Sequence, residues 1–144
     1  MTMSERLGIG QRRERVVCAE VLRTQIVQYA GASGDYSPLH TDERHAVRAG
    51  YPGVMAHGMM VMAASAGVVT DWVGVKELTQ LGVRFLAPVW PGDRLTAVAC
   101  VVAMRVGADG DYAELRLTTT NQSGVEVLAG TATVRAPDPS NTSN

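Results

Sequence analysis

Little in this chain invites a nucleic acid. Aromatic residues make up 5% of the 144 positions, too few for a base-stacking surface. Basic charge is not in excess either: 13 Lys and Arg stand against 14 Asp and Glu, for a formal net charge of -1. No basic field results, and Arg12, Arg13 and Arg15 read as a solvated turn. Cysteine is equally scarce. Cys18 and Cys100 lie far apart, without metal-ligand spacing, so two buried reduced thiols are expected rather than a disulfide. Residues 1–11 lack the apolar core of a secretion signal, which sets a cytoplasmic expectation and leaves the sequons at Asn121 and Asn141 without consequence. Charge is absent from residues 51–70, a run near membrane-spanning length. That run is broken by Pro52, Gly53, Gly58 and Gly67 and diluted by alanine, so no membrane span is expected.

What is present is apolar side chain, 46% of the chain, enough for a sizeable core in one domain. The reading is a single domain over residues 1–136 with a disordered polar tail over 137–144. Residues 15–19 suggest a first strand. Residues 22–32 suggest a helix, with Leu22, Ile26 and Tyr29 on one face and Gly31, Gly34 and Pro38 ending it. A polar, Gly- and Pro-punctuated stretch follows over residues 33–53, the kind of long irregular segment that often carries function. Residues 55–72 are apolar nearly all round and predict a helix buried on most sides. Four strands are predicted over residues 78–86, 94–106, 113–120 and 125–135. In them Leu115, Leu117 and Thr119 alternate with Arg116 and Thr118, and Val125, Val127, Ala129, Thr131 and Thr133 form a second alternating set. Period two with one apolar face marks an antiparallel sheet covered on one side. A helix buried on most sides needs a wrapping partner, so the expected architecture is α+β, a strongly curved antiparallel sheet around one long helix.

Two segments carry chemistry. In Ser33-Gly34-Asp35-Tyr36-Ser37-Pro38-Leu39-His40 a carboxylate and an imidazole stand five positions apart around a proline. A turn there lets both converge on one water, the carboxylate as general base and the imidazole orienting the water or returning a proton. The same residues also fit a plainer reading, Asp35 capping a turn with His40 packed beside it. In Ala56-His57-Gly58-Met59-Met60 the apolar helix begins. Its free N–H groups and dipole suit a developing oxyanion, and Gly58 permits close approach of a ligand to backbone. His57 reads more as a structural histidine than as a proton carrier. Asp42, Glu43 and His45 lack a helical metal-ligand spacing, and no metal is expected.

Together these segments resemble a family. The run from Tyr29 to Asp42 is similar to the hydratase-2 motif of MaoC-like dehydratases. Ala56-His57-Gly58-Met59, Phe85-Leu86-Ala87-Pro88-Val89 and Pro91-Gly92-Asp93 resemble that family's helix start, strand and turn. The resemblance covers nearly the whole chain. It lies nearest to (3R)-hydroxyacyl-carrier-protein dehydratase subunits and single-domain R-specific enoyl-CoA hydratases. It implies a hot-dog fold and syn addition of water to a trans-2-enoyl thioester, or the reverse. It implies Asp35 and His40 as the catalytic pair, and Gly58, with His57 and Met59, at the oxyanion and substrate site. It implies no cofactor beyond a coenzyme A or acyl-carrier-protein thioester as substrate. Some family members place a serine nine positions after the helix-start histidine; here that position is Ala66, with Ser65 beside it. Arg84 is a candidate phosphate contact, or simply an exposed strand charge. A homodimer, or a heterodimer with a related subunit, is implied as well, since a lone sheet leaves an open edge. The alternatives are a hot-dog acyl thioesterase and a non-catalytic subunit of a larger dehydratase.

Overall fold

A computed structural model describes residues 7–136; the expected tail lies outside the described residues. The element order is β1 (Arg12–Cys18), α1 (Arg23–Ser33), α2 (Glu43–Arg48), α3 (Gly58–Val73), β2 (Leu78–Phe85), β3 (Leu95–Gly107), β4 (Gly110–Thr120) and β5 (Glu126–Arg135), with one 3-10 turn, Val75–Glu77, before β2. The five strands form a single sheet in the order β1-β3-β4-β5-β2. Every neighbouring pair is antiparallel. Register shifts interrupt the pairing, as between Val101 and Ala103 on β3, and such bulges bend and twist a sheet. The concave face so formed receives α3.

The core is made where α3 meets that face. Val61, Val68 and Val69 of the helix are buried with Leu95, Ala97, Ala99, Val101, Leu115 and Leu117 of β3 and β4. Polar Ser65 is buried among them because its hydroxyl hydrogen-bonds that of Thr119, 2.7 Å away on β4. The helix is less enclosed than its sequence suggests. Met59 and Ala63 on its far side are exposed, because one five-stranded sheet can cover only one face of a helix. Both cysteines are free and half-buried.

Four sequence expectations need correcting in detail. Arg12, Arg13 and Arg15, expected in a solvated turn, lie on β1, which begins at Arg12 rather than residue 15 and pairs with β3. On β5 the inward residues are Leu128, Ala132 and Val134, facing Thr119, Leu115 and Ala113 across the ladder. Val127 is buried as the alternation requires, but the register shift beside it puts Leu128 inward too and leaves Ala129, Thr131 and Thr133 as the outward set, so the alternation has the wrong face inward from Ala129 on. Both faces of this strand carry small or β-branched residues, and the pattern alone could not choose between them. The stretch over residues 33–53 also holds a helix, α2, capped by the Asp42 carboxylate on the N–H of His45 at 3.1 Å. The predicted start of α3 at residue 55 moves to Gly58, because residues 55 and 56 are bonded to the neighbouring backbone instead. The N–H of Met55 donates to the Leu39 carbonyl and that of Ala56 to the Val89 carbonyl.

Turns fix the connections. Gly34, at φ 75°, ends α1 in the left-handed region, where a glycine costs least. Before β3, the buried carboxylate of Asp93 accepts the Trp90 N–H and an amide N–H of Gln122. Among the described residues no helix is long and apolar enough to cross a membrane. At the edge pair β2–β5, a Cβ on Gly130 would meet the Gly82 carbonyl and lie 2.8 Å from the Val83 Cα. Gly130→Ala is therefore expected to lower stability by about 1–3 kcal/mol, the usual cost of overpacking. Thermal unfolding followed by circular dichroism checks this; an unchanged Tm would show that the sheet relaxes freely there.

Candidate active site

The catalytic candidates are delivered by the turns after α1. Past Gly34 the N–H of Asp35 donates to the Ser33 hydroxyl at 3.2 Å, and the Asp35 carboxylate accepts the N–H of Ser37, also at 3.2 Å. Asp35 thus does cap a turn, and its second carboxylate oxygen is left over. The chain then turns on Pro38, whose carbonyl accepts the N–H groups of Thr41 and Asp42. This brings the His40 imidazole back toward Asp35, with 3.9 Å between Nε2 and Oδ2. The side chain of His40 is 12% exposed and that of Asp35 52%. A water reaching Asp35 from solvent can therefore touch both.

The proton positions follow from the partners. His40 Nδ1 lies 2.8 Å from the Met55 carbonyl, and a carbonyl only accepts, so Nδ1 carries the proton. Nε2 then presents its lone pair on the Asp35 side. His57 sits behind this pair, 1% exposed. Its Nε2 donates to the Asp35 backbone carbonyl at 3.1 Å. Its ring stacks on His40 with 3.8 Å between centroids and 26° between planes, while Tyr29 contacts it at 4.8 Å. The supports of the loop are ionic at their outer end. Arg23 holds the Glu43 carboxyl below the usual carboxylate range by hydrogen bond and charge, and the N–H of His45 does the same for Asp42.

A cavity of about 320 Å³ opens beside His40. Its walls include Met55, Gly58, Val61, Phe85, Leu86 and Val89, so it is apolar apart from the imidazole. Gly58 opens α3, where the N–H groups of the first turn have no intrahelical acceptor. A Cβ there would come within 3.1 Å of the Phe85 ring, so glycine lets that ring close over the helix start. The imidazole and the helix-start glycine thus border one apolar space, and the Asp35 carboxylate stands 3.9 Å from the imidazole Nε2.

Not every residue singled out in the sequence meets at this point. His57 is behind His40 rather than on the cavity wall. Met59 is 56% exposed and outside the wall. Arg84 neighbours Phe85 on β2, but strand alternation turns it to the convex face, beside Arg116 and Thr118. Ser65 faces the sheet and is bonded to Thr119, which accounts for it structurally. The Met55 carbonyl, which sets the His40 tautomer, had no signal in the sequence, since every residue has a carbonyl. Asp35, His40 and His57 also bring ligand atoms within 4.8 Å of one another. Their geometry suits a metal poorly. Imidazole lone pairs lie in the ring plane, and two nearly parallel stacked rings do not aim theirs at a common point.

The sequence and the fold are both similar to those of known proteins. An (R)-specific enoyl-CoA hydratase of Rhodospirillum rubrum is 29% identical over 123 residues, covering 81% of each chain. A peroxisomal enoyl-CoA hydratase 2 of Arabidopsis thaliana is 28% identical over 130 residues, which are 88% of this chain but only 40% of the plant protein. Among solved structures, the (R)-hydratase from A. caviae involved in PHA biosynthesis superposes with a TM-score of 0.80 at 26% identity, covering 91% of this chain and 98% of that one. The ChsH1-ChsH2 complex from Mycobacterium tuberculosis shares the fold, with a TM-score of 0.75 at 23% identity over 90% of this chain and 98% of the matched one. Residues 6–123 match the family described as MaoC like domain. The curved sheet, the helix laid in it and this match together place the chain in the MaoC-like family, as a hot-dog domain of the hydratase and dehydratase type.

Proposed function

We propose that this chain is an (R)-specific enoyl-thioester hydratase, equally a (3R)-hydroxyacyl-thioester dehydratase, acting on coenzyme A or carrier-protein thioesters. The observation that carries this is the Asp35 carboxylate 3.9 Å from Nε2 of His40, an imidazole that lines an apolar cavity together with Gly58 of the first turn of α3. In the hydration direction a water held between the two side chains attacks C3 of the enoyl group. Asp35 takes its proton as the C3–O bond forms. The double-bond electrons move toward the thioester oxygen, which the Gly58 N–H is placed to receive. One such donor is worth about 3 kcal/mol of barrier. The proton held by the Asp35–His40 pair then returns to C2 on the same face, so the net change is syn addition of one water. No step in this scheme calls for a metal or a redox cofactor.

Crotonyl-CoA tests the reading. The enoyl absorbance is expected to fall on adding the protein, and Asp35→Asn or His40→Gln is expected to lower turnover by about 10²–10⁴-fold. Full activity in both variants, or release of free thiol in place of hydration, would overturn it. Ser65 stands outside this machinery. Ser65→Ala is expected to cost about 1–3 kcal/mol by leaving Thr119 unpaired. Hydration by the folded variant should stay near the wild-type rate; a hundredfold loss would give the serine a part in the chemistry.

The working unit we propose is a pair of such domains formed by two copies of this chain. The outer edge of β2 is unpaired in the single chain. Tyr36, Met59, Phe85 and Leu86, large apolar residues at or near the site, are exposed in the single chain. Open edges and apolar patches of this kind are what association removes. The ChsH1-ChsH2 complex supports the alternative of a related second subunit. Light scattering is expected to give twice the 15.3 kDa chain mass for the protein expressed alone. A stable, active monomer would overturn the pairing.

A further inference from the structure

One buried group is unused by the chemistry above. His57 Nδ1 is shut off from solvent without a hydrogen-bond partner among the described residues. Leaving a buried polar atom unpaired costs stability, so its presence asks for a return elsewhere. The rest of the ring is fully engaged. Its Nε2–H holds the Asp35 carbonyl at 3.1 Å, which fixes the backbone that carries the carboxylate. Its face lies on His40 at 3.8 Å, which fixes the plane of that imidazole. Its own carbonyl begins the α3 ladder by accepting the Val61 N–H at 3.2 Å, and Gly58 is the next residue in the chain. The carboxylate and the imidazole of the proposed reaction are therefore both referenced to the His57 side chain, and the oxyanion amide follows it directly in the chain.

We propose that His57 is the positioning residue of the site, a buried imidazole in its Nε2–H tautomer that sets the geometry of Asp35 and His40 relative to the Gly58 amide. The tautomer follows from its surroundings: the groups facing it are Tyr29 from α1, the Asp35 carbonyl and the His40 ring, and of these only the carbonyl is bonded to it. Nδ1 has no acceptor among the described residues, and a buried N–H with nowhere to donate would cost more than a buried lone pair. The role is distinct from proton transfer, since His57 is buried and its Nε2–H is committed to the Asp35 backbone carbonyl.

Two substitutions separate its two attachments. His57→Phe keeps a flat ring against His40 and removes the donor to Asp35. His57→Gln keeps an N–H for Asp35 and removes the ring. The kinetic arm rests on the hydration reading: with crotonyl-CoA, kcat should fall about tenfold or more in His57→Phe while KM stays within about threefold, because misplacement of catalytic groups acts on the transition state. The spectroscopic arm does not rest on it. In 15N–1H imidazole spectra of the whole protein, wild type should show His57 protonated on Nε2 and His40 on Nδ1. In His57→Gln the His40 signals should shift toward a mixture of tautomers. Folded variants with wild-type kcat and an unchanged His40 tautomer would overturn the proposal. If neither variant folds, the wild-type spectrum still decides, since a His57 proton on Nδ1 contradicts the assignment. Inactive wild type with the expected spectra would sink the hydration reading and leave the positioning role standing.

Discussion

Val61, Ser65, Val68 and Val69 turn one face of α3 into the concave side of the sheet, and the rest of the molecule is arranged around that contact. The helix can bury this face only if the strands curve, and the register shifts in the ladders supply the curvature. Once the helix is seated, its first turn is fixed in space at the end of the sheet. There the backbone just before it is tied to Leu39 on one side and Val89 on the other. The amide end of α3 is thus held by the core, not by a flexible loop, which is the condition for a preorganised oxyanion donor.

The chemistry grows out of that rigidity. The Asp35–His40 loop is an excursion of the chain between α1 and α3, and it would wander without anchors. Three tie it down at its inner end: the Met55 carbonyl on His40 Nδ1, the His57 ring against His40, and the His57 Nε2–H on the Asp35 carbonyl. A fourth, the Arg23–Glu43 ion pair, ties α1 to α2 at the exposed end. Surface pairs of this sort contribute little, so the buried contacts decide the geometry. The same anchors leave one Asp35 oxygen and His40 Nε2, the candidate reacting atoms, facing each other.

Much of this was readable in advance because it rests on local rules. Asp35 and His40 lie five positions apart on one turn, so their meeting needs only the turn at Pro38. The apolar run toward Trp72 had to be a helix needing a sheet. Where the hydrophobic pattern is ambiguous, tertiary pairing decides the face. On β5 both faces carry small or branched residues, and the inward one was settled by pairing with Thr119, Leu115 and Ala113 on β4. Asp42 as the cap of α2 lay unread inside a stretch dense in turn residues. Arg84 illustrates the limit of proximity in sequence: one residue from the cavity wall, it lies on the opposite face of the sheet.

The sequence by itself determined the architecture and which side chains are the catalytic candidates, because hydrophobic periodicity, turn chemistry and a five-residue spacing are local properties of the chain. Only the tertiary structure decided which nitrogen of each histidine holds its proton, that His57 stands behind the site, and that Gly58 must be small to admit Phe85. Those outcomes depend on backbone carbonyls and on contacts between segments far apart in the chain. Neither has a residue type to announce it, and both exist only once α3 is packed in the sheet.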